Sequence, residues 1–244
     1  MKLSHSAAKR LRPMSQTLSC QPYPSRPVMQ ILDAKKSQIE SSLIRLAEEV
    51  STAIDKSIQC LTARDMAACD ALIRADEYIN DQRRMIEQDC LVAIASQQPV
   101  AHDLRDLFAA THIASELERL GDYACDIAAC AKRLDGGSLD GLALDRILEM
   151  SQLSREMLAT AMRADQTEDA DLARQLSTLD DRMDALLKAT LDQILAVMRQ
   201  ESGRVNNGTT LMWVAHHLER CGDRATNIAE QVVFRLENEV TDLG

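Results

Sequence analysis

The sequence has 244 residues and a formal net charge of −10, so it is long enough for one large or two small domains and too acidic for a general nucleic-acid-binding protein. Hydrophobic residues make up 45% of the chain and aromatic residues only 2%, a composition typical of helical bundles. All five prolines lie at or before Pro99, so nothing of that kind interrupts helices in the rest of the chain.

The first 32 residues form a basic arm ahead of an acidic body. The arm has no acidic residue and five basic ones: Lys2, Lys9, Arg10, Arg12 and Arg26. It is rich in Ser, Gln and Pro and lacks the apolar core of a secretory signal, which predicts a disordered segment. The alternative is an arm that contacts a membrane surface or an acidic partner.

Two further patterns concern location and redox state. No run of about 18 uncharged apolar residues occurs, so we expect a cytoplasmic protein. The seven cysteines are odd in number and include no Cys-x-x-Cys, which argues against a disulfide framework or a zinc knuckle. We expect them to be small buried apolar residues.

Residues 33–135 predict a first unit of three helices. Apolar residues three or four positions apart indicate an amphipathic helix from Asp33 to about Ala63. A turn at 62–65 separates it from a second helix that ends at Gln98, before a proline. Pro99 suits the first turn of a third helix, which extends to about Arg133.

Residues 142–240 predict a second unit with the same plan. The glycine-rich segment before it indicates a linker at 136–141. Helices are predicted at about 142–162 and 169–200, followed by a loop at 203–208 and a third helix to about 240, with Trp213 in the core. The fold expected is therefore all-α, with two tandem antiparallel three-helix bundles.

One stretch of the third helix occurs twice. Residues Leu117–Ala128 recur at Leu218–Ala229, with eight of twelve positions identical at an offset of 101. Both copies keep Glu-Arg-x-Gly-Asp, and a glycine inside a helix costs about 1 kcal/mol. The repeat indicates one supersecondary unit used twice. Its glycine indicates a close backbone approach or a bulky bound species beside the acids.

The repeated motif places acidic residues in a row. In the first unit Glu118, Asp122 and Asp126 are four residues apart and therefore share one helix face. The second unit has the corresponding row Glu219, Asp223 and Asn227. Such rows are commonly solvated faces or are neutralised by arginine, and these alternatives stay open.

The second helix of each unit offers facing ligands, namely Asp76 and Asn80 in the first unit and Asp180 and Asp184 in the second. Asp76 and Glu118 are equally far in sequence from the turn at Gln97, so they lie at one height on adjacent helices. Carboxylates at one level can share hard cations such as Mg²⁺, Mn²⁺ or Fe. The candidate metal ligands are Asp76, Asn80, Glu118, Asp122, Asp126, Asp180, Asp184, Glu219 and Asp223.

The motif also keeps one arginine in each copy, Arg119 and Arg220. An arginine beside a carboxylate row can neutralise its neighbours in an ion pair. A planar guanidinium can also contact an anion or a protein partner. The sequence leaves both interpretations open.

These motifs resemble the paired signatures of the PhoU family. The resemblance rests on Leu117-Glu-Arg-Leu-Gly-Asp122, preceded by Pro99-x-x-x-Asp-Leu-Arg105, and on the second copy Leu218–Glu230. It implies two similar three-helix bundles, a homodimer, and multinuclear iron, zinc or other metal clusters at the acidic motifs. It also implies a non-enzymatic negative regulator of phosphate uptake. Its expected partners are the ATPase of the phosphate ABC transporter and the sensor histidine kinase of the phosphate two-component system, so contact with membranes is peripheral at most.

Two other functions remain as alternatives. Carboxylates on facing helices also build di-iron enzymes, but those need Glu-x-x-His pairs, and the chain has only the reversed order His216–Glu219. A purely structural helical scaffold is the second alternative. The sequence shows no Ser-His-Asp or Cys-His arrangement and no glycine-rich phosphate loop, so we expect no catalytic residues.

Overall fold

The computed structural model describes residues 26–244 except 138 and 140, so most of the predicted basic arm lies outside the described residues. The described part holds seven α-helices and no strand. They are α1 Arg26–Ala63, α2 Met66–Gln97, α3 His102–Ala131, α4 Leu144–Thr167, α5 Ala170–Arg174, α6 Leu176–Gln200 and α7 Val205–Glu237. One 3₁₀ turn, Ser202–Arg204, joins α6 to α7. The all-α prediction is confirmed.

Two helices begin at an aspartate that caps them, and two end at a residue in the left-handed conformation. The carboxylate of Asp65 accepts a hydrogen bond from a backbone N–H in the first turn of α2, and Asp169 does the same for α5. Gln98 ends α2 in the left-handed conformation at φ 49°, and Glu168 ends α4 at φ 51°. These caps set the antiparallel turns between neighbouring helices.

Two helix starts in the first unit differ from the sequence prediction. The first helix begins at Arg26, not at Asp33, with Pro27 in its first turn, where a missing N–H leaves no hydrogen bond broken. The third helix begins at His102, so Pro99 lies in the preceding connection and not in the helix. The proline breaks α2 as expected, but the connection to α3 takes four residues, 98–101.

Two further differences concern the second unit. Its middle helix is interrupted at Gln175, which separates α5 from α6. The loop predicted at 203–208 is wrong from Val205 onward, because α7 begins there. Gly208 lies inside α7, and a Cβ atom at this position would be 2.6 Å from Met198 Sδ. This glycine allows α7 to pack closely against α6.

Each unit is an antiparallel three-helix bundle, built from α1, α2 and α3 or from α4, α5 with α6, and α7. The two bundles share one continuous hydrophobic core. Within that core α3 packs against α7 along its length, and α1 packs against α4. The two motif-bearing helices are therefore the central pair of the molecule.

Five cysteines are buried as predicted: Cys60, Cys69, Cys90, Cys130 and Cys221. Cys125 is only half-buried, and Cys20 lies outside the described residues. No helix in the described part of the chain is long and apolar enough to cross a bilayer.

Candidate functional site

The two motif glycines lie where neighbouring helices come closest. A Cβ atom at Gly121 would be 3.0 Å from Ile79 Cδ1, on α2. At Gly222 it would be 3.3 Å from Met157 Sδ and 3.4 Å from Met183 Cγ. The space beside each glycine is therefore filled by a core side chain of the same bundle. This explains both glycines by helix packing and leaves no room there for a bound species.

The structure brings the acidic residues of the first unit together on α2 and α3. Burial, together with the charges of Glu118, Asp76 and Asp126, raises the pKa of Asp122 to about 6 against the opposing charge of Arg119. Asn80 Nδ2 donates a hydrogen bond of 2.9 Å to Asp76 Oδ2. All five predicted first-unit residues, Asp76, Asn80, Glu118, Asp122 and Asp126, thus belong to one cluster, which we call the first acidic cluster.

The sequence analysis did not identify two residues that belong to this cluster. Arg83, two turns along α2 from Asp76, places Nε 3.4 Å from Glu118 Oε1. Cys125 Sγ lies 3.6 Å from Asp76 Oδ1, and burial together with the charge of Asp76 raises the pKa of this thiol to about 12. Helical spacing could have placed Cys125 beside Asp122 and Asp126, but nothing in the sequence assigned it a role.

The second unit has a matching second acidic cluster, formed by Asp180, Asp184, Glu219 and Asp223. Burial, together with the charges of Asp223, Asp184 and Asp180, raises the pKa of Glu219 to about 7 against the opposing charge of Arg220. Burial also raises the pKa of Asp180, helped by Asp184 and Asp223. The acidic residues of α6 and α7 therefore lie at the same level on facing helices.

The carboxylates of the second cluster differ in their partners. Asp223 Oδ2 accepts a hydrogen bond of 2.6 Å from Arg220 Nη1. Glu219 Oε2 is buried and accepts no hydrogen bond, and His216 Nδ1 lies 3.4 Å from it. A buried carboxylate oxygen without a donor is costly, so Glu219 is the carboxylate with most to gain from a cation.

The last residue of each acidic row points toward the other bundle. Asn227 Nδ2 donates to Glu116 Oε2 over 3.2 Å, and Arg224 Nη1 donates to the same oxygen over 3.1 Å. Asp126 Oδ2 lies 3.8 Å from His217 Nδ1 on α7. Asn227 therefore contributes to the contact between the bundles, which accounts for its lack of a charge.

The two motif arginines have different surroundings. Arg220 forms a hydrogen bond with Tyr123, which raises the pKa of Arg220, and it also pairs with Asp223. Arg119 is more exposed and lies 3.8 Å from Glu116. Arg220 thus joins the bundles and neutralises a carboxylate, whereas Arg119 presents its guanidinium to solvent.

The predicted core position of Trp213 is wrong. Its side chain is 53% exposed, with its ring 6.0 Å from the ring of His216 and 6.2 Å from that of His217. The ring of His217 lies 5.9 Å from that of Tyr123 on α3. Periodicity placed Trp213 on α7 but did not distinguish the core face from the neighbouring aromatic surface.

The fit of a metal to these clusters can be judged from the donors present. Carboxylate oxygens with raised pKa values and mutual repulsion suit hard cations. Within residues 26–137, 139 and 141–244, however, no three His, Cys, Asp or Glu side chains converge closely enough to hold one ion. The donor chemistry therefore fits a hard cation, but these side chains as placed do not form a coordination site.

Comparison with known proteins gives information that is independent of the site geometry. The sequence profile of the PhoU domain matches residues 43–131 and again residues 147–232. A protein of Clostridium acetobutylicum named phosphate-specific transport system accessory protein PhoU homolog is 31% identical over 215 residues, covering 88% of this chain and 98% of the relative. A protein of the same name from Streptococcus pneumoniae is 29% identical over 212 residues, covering 87% and 98%.

Solved structures agree with this match. The crystal structure of the phosphate transport system regulatory protein PhoU from Streptococcus pneumoniae aligns with a TM-score of 0.81 at 27% identity, covering 86% of this chain and 99% of that one. The structure of PhoU from Pseudomonas aeruginosa aligns with a TM-score of 0.79 at 27% identity, covering 85% and 99%. Both alignments span the two bundles.

Proposed function

The chain belongs to the PhoU family, and from this premise we propose that it is a non-enzymatic regulator of phosphate uptake and of the phosphate-starvation response. The observation that carries the proposal is the double match of the PhoU domain, one copy in each bundle. The relatives that match this chain over nearly their whole length are named as accessory proteins of phosphate-specific transport.

We propose that the protein acts as a cytoplasmic adaptor between the phosphate ABC transporter and the sensor histidine kinase. It would contact the ATPase subunit of the transporter and lower kinase output when phosphate is abundant, as a homodimer. Arg119 supports a docking role, because its guanidinium is exposed on a central helix and only loosely paired. Trp213 on α7 is also exposed, and exposed tryptophan and arginine side chains are typical of binding hot spots.

We also propose that both acidic clusters hold oxygen-preferring cations such as Fe, Mg²⁺ or Mn²⁺, with Zn²⁺ as a further candidate. Glu118, Asp122 and Asp126 with Asp76 would hold them in the first unit, and Glu219 and Asp223 with Asp180 and Asp184 in the second. A bound cation would supply positive charge, not reactivity. It would remove the repulsion within each cluster and tie α2 to α3, or α6 to α7.

A clean deletion in the source organism tests the regulatory role. We expect phosphate-acquisition genes to be transcribed in high phosphate when the gene is deleted, and repression to return with the wild-type copy. The measurement is transcript abundance in cells grown with ample phosphate. Unchanged transcription in the deletion strain would refute the proposal.

Affinity capture of the tagged full chain from phosphate-replete cells tests the adaptor role. We expect to recover the transporter ATPase and the sensor kinase. Arg119→Ala should weaken this recovery, whereas Arg163→Ala, an exposed arginine on α4 outside the motif, should not. Equal recovery with both variants would remove Arg119 from the docking surface.

A further inference from the structure

The chain folds back on itself where α7 ends. Asn238 ends the helix in the left-handed conformation at φ 59°, and its N–H bonds to the carbonyl of Phe234. Leu243 then lies beside a residue 13 positions earlier in the chain, because its backbone N–H donates a hydrogen bond of 3.0 Å to Glu230 Oε1. Residues 239–244 therefore run back along α7, and we call them the return segment.

The tip of the return segment lies on the second acidic cluster. A Cβ atom added at Gly244 would be 3.1 Å from Asp180 Oδ2 and 3.3 Å from Thr226 Cγ2. Thr226 Oγ1 in turn donates to Asp180 Oδ1 over 3.4 Å. Gly244 thus contacts both α6 and α7 at the level of the cluster. The return segment covers Asp180 on this side.

The other end of the return segment lies next to α5. Arg174, the last residue of α5, donates a hydrogen bond of 3.2 Å to Glu237, just before the segment begins. This bond to Glu237 raises the pKa of Arg174, and the charge of Glu239 adds to the rise. The return segment therefore begins beside α5 and ends on α6. It crosses the helix break at Gln175.

Little of the return segment is buried. Leu243 packs half-buried against the hydrophobic core, whereas Val240 is 93% exposed. Burial raises the pKa of Glu230, and the charge of Asp242 adds to the rise, so the segment brings a like charge to its own hydrogen-bond acceptor. Segments with little buried apolar surface open at a small free energy. The return segment can therefore detach while the bundle stays folded.

The first acidic cluster is arranged differently. Asp76, the counterpart of Asp180 on α2, lines a cavity of about 280 Å³ that opens to the surface. After α3 the chain turns toward the second bundle, where Asp135 N donates a hydrogen bond of 3.0 Å to Asn207 Oδ1 on α7. The return segment therefore distinguishes two clusters that the internal repeat makes alike.

We propose that the return segment is a releasable strap over the second acidic cluster. In its docked position it shields Asp180, and on release it exposes Asp180 together with Thr226 and Glu230. A positively charged ligand that needs Asp180 has to displace the strap first, whereas the first cluster is open throughout. This difference in binding rests on the proposed cation sites, but the strap itself does not.

Carbodiimide labelling of carboxylates in the full chain, quantified for each residue by mass spectrometry, measures access to Asp180. Leu243→Ser removes the apolar anchor and should raise the labelling rate of Asp180 about fivefold or more. Val240→Ser is the matched control at an exposed position and should change this rate by less than about twofold. Neither substitution changes the net charge. The labelling rate of Asp76 is the internal reference and should stay constant.

Removal of residues 239–244 gives a second variant, because α7 ends before them. It should raise the labelling rate of Asp180 at least as much as Leu243→Ser does. Since labelling requires no bound metal, the outcome is independent of whether the clusters hold cations. Equal rates in the two serine variants, an unchanged Asp180 rate after removal of the segment, or an equal rise at Asp76 would overturn the proposal.

Discussion

Asn227 on α7 donates a hydrogen bond of 3.2 Å to Glu116 on α3, and the equivalent positions on the opposite side of the crossing bring Asp126 within 3.8 Å of His217. At the offset of 101 residues that relates the motif copies, Glu116 corresponds to His217 and Asp126 corresponds to Asn227. The two contacts are therefore related by a local two-fold symmetry. The duplicated unit packs against itself as the subunits of a two-fold dimer do, within one chain.

Because Asn227 donates to Glu116, we predict that an aspartate cannot replace Asn227 without a loss of stability. Asn227→Asp would place a second carboxylate beside Glu116, whose side chain is 15% exposed, and we expect a loss of about 1–2 kcal/mol of unfolding free energy. Glu116→Gln in the same chain should recover most of it. Urea unfolding at neutral pH measures the effect. An Asn227→Asp protein as stable as wild type would show that Arg224 alone holds the contact.

The packing at Gly121 predicts a coupling between two helices. Gly121→Ala should lower stability by about 1 kcal/mol or more, because the new methyl group meets Ile79 and overpacking outweighs the gain in helix propensity. Ile79→Ala alone should also destabilise, through a cavity. The double variant should be more stable than the sum of the two losses predicts. Strict additivity in denaturant unfolding would argue against close packing at this glycine.

The sequence was sufficient for the parts of the structure that depend on local periodicity. Apolar spacing predicted the helices, and the turn residues Asp65 and Asp169 do cap α2 and α5. Acidic spacing also placed Asp76 and Asp180 with the rows on the third helices, because antiparallel helices joined by short turns keep a fixed register.

Features that depend on packing between bundles could not be predicted in the same way. Gly208 resembles a loop residue in sequence, and only the position of Met198 shows that it serves a helix contact. The role of Asn227 in the contact between the bundles has no sequence signal, because its partner Glu116 is distant in sequence. The helix break at Gln175 has no sequence signal that we can identify.

The raised pKa values predict stabilisation by acid. Burial and like charges raise the pKa of Asp122 to about 6 and of Glu219 to about 7, so the folded chain binds these protons more tightly than the unfolded chain. Stability should therefore increase as the pH falls from about 8 toward about 4. Asp122→Asn with Glu219→Gln should flatten this dependence and raise stability at pH 7, by at most about 1 kcal/mol per site after solvent screening.

Thermal unfolding of the metal-free protein across this pH range measures the effect. The exposed Glu48→Gln on α1 is the matched control, because it removes one carboxylate outside both clusters. It should leave the pH dependence unchanged. The same slope in the cluster variant and in the control would show that the raised pKa values do not contribute to stability.

Metal binding at the acidic clusters predicts a stepwise loss of bound cation. Glu118→Ala with Asp122→Ala should remove the metal of the first unit, and Glu219→Ala with Asp223→Ala that of the second, since hard cations need carboxylate oxygens. Elemental analysis after purification without chelators, followed by titration with Mn²⁺ or Fe²⁺, measures the stoichiometry. Asp106→Asn, outside both clusters, should retain full metal content. Metal retained after all four alanine substitutions would place the site elsewhere, and none bound by wild type would exclude it.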